Sequence, residues 1–355
     1  MARPPVPEAT RRQLDGAVDR LRELLPAGWR LNVAGRSASG GRLRVSSEQA
    51  EGDLWIWTRK RVEPRDIPGL PEREGPTIVA SRWLSPRTRE LLRAAGIGYL
   101  DDTGNSSIDL TTPGLYIRTD GADRDPIPRP TKGPTLRGPR AWALLRTLIE
   151  VAPPYGVRDL SAALRVDAGY VSRLLQVLER ELLIERPPRG PVTSVDWGGI
   201  LRLLVSTYSL FDANETSTLI APGGAEQLIR DLAGKQAGRW AVSGSFASAG
   251  IVSVAAPETA LIYTADPDRI ARIGRLLPAT TGTNVVLAVP YDEIVFTRMR
   301  RSANVNFVSI AQTAVDELTG PGRMPQEGEA VIAWMKRNLK RWRATSLTTP
   351  TDNTR

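Results

Sequence analysis

The chain has 355 residues, and at about 100–200 residues per domain this predicts two or three domains, each able to bury its own core. It contains neither cysteine nor histidine, which excludes disulfides, thiolate nucleophiles, zinc fingers, iron–sulfur clusters, imidazole bases and Ser-His-Asp triads, and leaves carboxylate–Mg²⁺, lysine and tyrosine chemistry. The formal charge is +9, a surplus carried almost wholly by Arg, and it favours a polyanionic partner over mere solubility.

The first residues, Met1-Ala2-Arg3-Pro4-Pro5, lead into a charged helix rather than an apolar signal core. No stretch approaches the roughly 18 uninterrupted apolar residues of a membrane span. A cytoplasmic, nucleoid-associated protein with no membrane partner is expected. Residues 8–25 read as an amphipathic helix, with Leu14, Val18, Leu21 and Leu25 on one stripe, ended by Pro26-Ala27-Gly28. Strands are predicted at 29–33, 42–45 and 53–57, a Pro-rich loop at 63–76 and a strand at 77–80. Ser85-Pro86 opens a helix over 86–95, and Gly96 stops it. A strand at 98–100, a turn at 101–105 and strands at 107–110 and 115–118 follow.

Residues 121–138 are rich in Pro and Gly and read as a linker. The expected fold class is therefore α+β multidomain. It comprises an N-terminal helix (1–26), a mixed α/β domain (27–120), the linker, a central helical segment (139–198), a C-terminal α/β domain (199–343) and a disordered tail (344–355).

Residues 77–105 resemble the last part of a restriction-endonuclease-like core. Such enzymes place an Asp and then a Glu-x-Lys on the next strand to hold Mg²⁺. The matching stretch here runs from Asp53 to Lys60, and Thr58 stands where the Glu belongs. Asp101 and Asp102 are adjacent, so their side chains diverge on an extended chain. They read as turn caps before Gly104 rather than a metal pair. The expectation is a nuclease-like domain without activity: no catalytic residue, no metal, no cofactor, no enzyme. A Mg²⁺-dependent nuclease using Asp53 or Asp101 is the third-ranked alternative.

The central segment has the rhythm helix, helix, turn, helix, two-stranded wing. Its first helix carries Ala141, Leu144, Leu145, Leu148 and Ile149 on one stripe, and Pro153-Pro154 ends it. A short helix over 157–164 and the turn 166–169 precede a third helix over 169–181, which buries Val171, Leu174, Leu175 and Leu178. Residues 183–195 read as strand, tight turn, strand. This resembles a winged helix-turn-helix, whose third helix enters the DNA major groove. The expected DNA contacts on that helix are Gly169, Tyr170, Ser172, Arg173 and Gln176. Arg pairs bidentately with guanine and Gln with adenine. Arg186 and Arg189 on the wing, and Arg140, Arg158 and Arg165 on the flanking helices, suit phosphates or a minor groove. Positive and negative residues nearly balance in this segment, a weak electrostatic footprint, and winged helices also serve as protein-docking modules.

Further on, Ser243-Gly244-Ser245 follows the apolar Trp240-Ala241-Val242, as in nucleotidyltransferases, but the nearest spaced acid pair, Asp266 and Asp268, lies some twenty residues away with Pro267 between. A tight strand-to-helix connection is the better reading. Gly234-Lys235 is followed by Gln236, so no phosphate loop exists, and Gly96-Ile97-Gly98 lacks the third glycine of a dinucleotide loop. The basic stretch 335–343 suits a helix C-terminus or phosphate equally.

Three segments resemble the AbiEi-type antitoxin and transcriptional-regulator family of type IV toxin–antitoxin systems. They are Tyr99-Leu100-Asp101 with Gly104-Asn105, residues 166–178, and a C-terminal signature of Gln312, Asp316, Pro321-Gly322-Arg323, Pro325 and Glu329. The resemblance implies a DNA-binding repressor, often autoregulatory, with a C-terminal domain that counters a nucleotidyltransferase-like toxin without touching it. Family members commonly begin with the winged helix, whereas here a nuclease-like domain precedes it, and Glu317 replaces the Leu after Asp316. The expected function is a sequence-specific transcriptional regulator that binds double-stranded DNA, two half-sites being read by a homodimer. The alternative is an antitoxin or protein-interaction module with a toxin partner.

Overall fold

The helix signalled by Leu14, Val18 and Leu21 forms as α1 (Glu8–Leu24) in the computed structural model, which describes residues 8–71, 74–127, 135–252 and 254–347. After it come β1 (Arg30–Ser37), β2 (Gly40–Ser46), β3 (Glu51–Thr58), a 3₁₀ turn at Pro64–Gly69, β4 (Thr77–Ser81), α2 (Pro86–Ala94), β5 (Gly98–Asp101), β6 (Ser106–Leu110) and β7 (Leu115–Thr119). The seven strands lie in chain order. Pairing is antiparallel from β1 to β3, parallel from β3 to β5 and antiparallel from β5 to β7. Side chains alternate across the sheet. Ile78 and Ala80 pack with Leu14, Val18 and Leu21 of α1 on one face, while Val79 packs with Leu84, Leu92 and Tyr99 on the face that α2 covers. Helix α2 starts where Ser85 Oγ accepts the Thr88 N–H at 3.1 Å.

The fold is α+β with two large mixed sheets, and the chain separates into two compact units. Among the described residues the first unit holds 8–127 with Arg180–Leu182, and the second holds 135–179 and 183–347. The N-terminal helix is thus not a separate element, because its apolar stripe is buried in the first sheet's core.

The Pro/Gly-rich segment is no free linker over Gly121–Ile127. Gly121 N–H donates to Asn105 Oδ1 at 2.9 Å. The Ala122 carbonyl accepts Trp83 Nε1–H at 3.0 Å, and Asp123 and Asp125 pair with Arg89 and Arg82 at 2.7 Å each. A side chain at 121 would put its Cβ 2.1 Å from the Thr103 carbonyl, so only glycine fits. Composition reports Pro and Gly content and is blind to such partners. Of the rest of that expected linker, 128–134 lie outside the described residues, while in 135–138 Leu136 packs against the core of the second unit.

The second unit opens with α3 (Pro139–Glu150), α4 (Val157–Leu164) and α5 (Ala168–Arg180), then the two-stranded wing of β8 (Ile184–Glu185) and β9 (Ser194–Val195). It continues with α6 (Trp197–Thr207), α7 (Leu210–Ala213), β10 (Glu215–Ile220), α8 (Ala225–Ala233), β11 (Trp240–Ser243), α9 (Ser245–Ser248), β12 (Ala260–Thr264) and α10 (Pro267–Gly274). The last elements are β13 (Leu277–Pro278), β14 (Val285–Val289), β15 (Arg300–Ser302), β16 (Val305–Phe307), α11 (Ile310–Leu318), α12 (Met324–Arg337) and α13 (Leu339–Trp342). The seven-stranded order is β13-β10-β14-β12-β11-β16-β15.

Alternation again sorts the layers. Val242, Ile262 and Leu287 face α8 and α10 through Leu228, Leu232 and Ile270. Ala241, Leu261, Tyr263 and Ala288 belong to a different core. That core also holds Leu144 and Leu148 of α3, Leu174 and Leu178 of α5, Ile200 and Leu204 of α6, and Ala314, Val315 and Val331 of α11 and α12. The winged helix and the C-terminal α/β region, expected as two domains split at 198/199, are therefore one unit around one core. Neither half alone covers its apolar surface.

The chain end is also tied down. Arg343 Nε donates to the Ile149 carbonyl at 3.0 Å, and its Nη2 to those of Leu148 and Val151 at 3.1 and 3.2 Å. A guanidinium thus closes the C-terminus of α3, satisfying carbonyls that have no partner within the helix. Ala152 N–H and the Glu150 carbonyl bond Ala344 at 2.7 and 2.8 Å, and Arg298 donates to the Ser346 carbonyl at 2.6 Å. Residues 344–347 are therefore held rather than disordered. The rest of the expected tail lies outside the described residues.

Candidate nucleic-acid interface

Helix α5 begins at Ala168, one residue before the expected start, because Asp167 Oδ1 accepts the Tyr170 N–H at 2.8 Å. Val171, Leu174, Leu175 and Leu178 are buried on one side. Gly169, Arg173 and Gln176 are exposed on the other, and Tyr170 and Ser172 are half-buried, with Tyr170 packed against the core. Arg158 is exposed on α4, and Arg165 closes that helix in the left-handed conformation (φ 53°), also exposed. Arg140 is exposed in the first turn of α3. At the wing, Gly190 N–H donates to the Pro187 carbonyl at 2.9 Å, which places exposed Arg189 (φ 59°) in the tight turn.

Arg186 differs from the others. It is half-buried, and its Nε donates to Glu179 at 3.1 Å, so it ties the wing to α5 instead of standing free for phosphate. Among the described residues no ion pair engages Arg140, Arg158, Arg165, Arg173 or Arg189.

The near balance of charge in this segment hides an asymmetry of use. Five of its seven acids are engaged locally, Glu179 by Arg186. Asp159 accepts Gly156 N–H at 2.7 Å, Asp167 caps α5, and Asp196 accepts Gly199 N–H at 2.9 Å. Glu150 pairs with Arg146 at 3.0 Å inside the core. A carboxylate at a helix N-terminus is answered by that helix's dipole. The exposed arginines have no such answer. The spacing Gly156-x-x-Asp159 and the position of Asp167 before a helix were the sequence signals that could have shown this.

The acids considered for metal chemistry have other duties. Asp53 accepts from both Arg42 and Arg44, the Arg44 Nε lying at 3.1 Å, and these bonds hold its carboxyl below the usual range. Asp101 is buried and accepts from Leu84 N, Thr103 N, Thr103 Oγ1, Asn105 N and Asn105 Nδ2, all between 2.7 and 3.1 Å. It builds the turn that contains Gly104 and Asn105, so the Tyr-Leu-Asp-x-x-Gly-Asn stretch has a structural explanation. Asp102 pairs with Arg20 at 2.7 Å. Asp266 caps α10 through Arg269 N–H at 3.0 Å, and Asp268 sits in that helix's first turn. Among the described residues no group of three His, Cys, Asp or Glu side chains could hold a metal.

Of the C-terminal signature residues, Gln312 and Asp316 are buried, Pro325 is half-buried, and Pro321, Gly322, Arg323 and Glu329 are exposed. Asp316 Oδ2 accepts Ser243 Oγ–H at 2.6 Å, and its Oδ1 accepts Gln312 Nε2–H, Tyr263 OH and Tyr208 OH at 2.7, 2.9 and 3.0 Å. Burial pushes its carboxyl up to about 6 against these four bonds. Gln312 in turn accepts from Arg146, which also donates to Ser309 Oγ at 2.8 Å. Beside this network, Glu317 is buried with both carboxylate oxygens lacking a hydrogen-bond donor. Burial pushes it up to about 8, the neighbouring Ser248 hydroxyl opposing the rise and the Glu327 carboxylate adding to it. Glu327, not Glu329, is the buried acid of α12, taking a bond from Ser245 and pairing with Arg323 at 3.3 Å, while Glu329 faces solvent. The sequence reading missed Glu317 and Glu327 as buried acids, since nothing local distinguishes them from surface helix carboxylates.

Among the described residues no helix is long and apolar enough to cross a membrane. The chain matches no protein-family model, no curated protein and no solved structure.

Proposed function

We propose that this chain is a sequence-specific regulator of transcription that binds double-stranded DNA through α5. The observation that carries the reading is the free face of α5: Arg173 and Gln176 point outward from a helix whose other side is fixed by four buried apolar residues. A rigid helix with an unpaired guanidinium and amide fits the major groove, where Arg discriminates guanine and Gln adenine. Arg189 at the wing and Arg140, Arg158 and Arg165 around the helix supply phosphate contacts. The likeness of three segments to AbiEi-type regulators supports a repressor role, exerted on the nucleoid by a homodimer over two half-sites.

The test is selection of bound sequences from a random duplex pool, followed by titration at fixed salt. A recurring motif is the expected result. Arg173→Ala should cost about 1–3 kcal/mol on that motif and relax the preference at one base pair. Arg189→Ala should weaken all duplexes alike. A flat profile across the pool, or binding that requires a protein partner, would replace the regulator by a docking or antitoxin module.

A further inference from the structure

The first unit carries a basic recess that the DNA-reading surface does not use. It lies at the carboxyl ends of the parallel strands β3, β4 and β5, where Lys60, Ser81 and Asp102 follow or end the strands, and α1 closes it with Arg12 and Arg20. Its volume is about 400 Å³. Ligands of open sheets gather at the carboxyl ends of parallel strands, because connections leave a crevice there.

Arg12, Arg20, Arg59, Lys60 and Arg82 line the recess with Asp102, and Glu8, Asp66 and Asp125 pair three of these arginines from beyond the lining. Each lining guanidinium has a carboxylate partner: Arg12 has Glu8, Arg82 has Asp125 at 2.7 Å, Arg59 has Asp66 at 3.2 Å and Arg20 has Asp102 at 2.7 Å. Two donors remain. Lys60 is exposed and has no partner among the described residues, and the Nε–H of Arg20 is buried without an acceptor.

We propose that this recess binds the diphosphate or phosphate group of a small phosphorylated ligand, with Lys60 as its mobile charge and Arg20, Arg59 and Arg82 as its fixed wall. Guanidinium groups suit phosphate because several N–H donors converge on its oxygens, and a neighbouring ammonium adds a compact charge. The size of the recess matches a small-molecule site, whereas a duplex backbone needs a long charged track.

The test is isothermal titration of the full chain with inorganic pyrophosphate, in the absence of DNA and at constant ionic strength. Saturable binding of one pyrophosphate per chain is expected. The double variant Lys60→Ala/Arg59→Ala should weaken it at least tenfold with an unchanged melting temperature, and Arg173→Ala should leave it unaltered. No saturable heat, or equal affinity in the double variant, overturns the site. An equal loss in Arg173→Ala overturns it too, as generic charge attraction. If the double variant weakens duplex binding while pyrophosphate does not bind at all, the recess serves a nucleic-acid backbone and the small-ligand assignment fails.

Discussion

Arg146 and Arg173 sit on two helices of the same winged helix and meet opposite fates. Arg146 of α3 is fully buried, with Glu150, Gln312, Ser309 and the Thr297 carbonyl as its partners. Arg173 of α5 is exposed and no ion pair engages it among the described residues. The first guanidinium locks α3 to α11, and through Gln312 to the Asp316 network. The second projects into solvent, where the proposed regulator would present it to a base. The residue type is therefore uninformative by itself; the count of partners within reach decides whether a cation holds the fold or serves recognition.

Arg146→Ala should destabilise the second unit by about 3–5 kcal/mol, since Glu150 is left charged and unpaired in the core, and urea unfolding measures it. Stability as undiminished as that of Arg173→Ala would show that the two arginines do not differ as described.

The next effect comes from Glu317, the carboxyl beside the network that has no donor. Its folded value of about 8 lies above the ordinary 4.5. Its contribution to stability is thus complete below about 4.5 and is lost as pH rises through about 8, because the unfolded chain ionises first. Asp316, raised to about 6, adds a loss of the same sign at lower pH. Glu317→Gln should stabilise the unit by on the order of 3 kcal/mol at pH 8 and have little effect at pH 4.5, as read from paired urea melts. A variant equally stable to the parent at both values would mean the carboxyl finds a donor in solution.

Loss of duplex affinity in Arg173→Ala, without loss of stability, is the matching smaller effect at the exposed end. The smallest belongs to Asp53→Ala. This acid is half-buried at the sheet surface and pairs with two exposed arginines, Arg42 and Arg44, so neither the melting temperature nor the behaviour of DNA incubated with Mg²⁺ should change measurably. Cleavage by the parent chain that the variant loses would reinstate the nuclease reading.

Much of the local structure was legible residue by residue. The stripe Leu14, Val18, Leu21 marked α1, Ser85-Pro86 and Gly96 bracketed α2, and Val171, Leu174, Leu175 and Leu178 marked the buried side of α5. The free side of that helix follows directly, since a helix that buries one stripe offers the residues between. The exposed members of the proposed interface on that helix, Gly169, Arg173 and Gln176, were therefore readable, whereas the half-burial of Tyr170 and the pairing of Arg186 with Glu179 were not.

Periodicity, cap residues and composition act within a few positions of the chain, and they sufficed for the helices and strands of the first unit, for the winged helix and for the absence of thiol and imidazole chemistry. Tertiary structure alone decided that the winged helix shares one core with the C-terminal sheet, that Gly121–Ile127 is strapped to the first sheet, and that Arg343 caps a helix nearly two hundred residues earlier. Each of these joins groups far apart in sequence, and such a contact has no local signature: its partners are chosen by which surfaces the packed elements bring face to face.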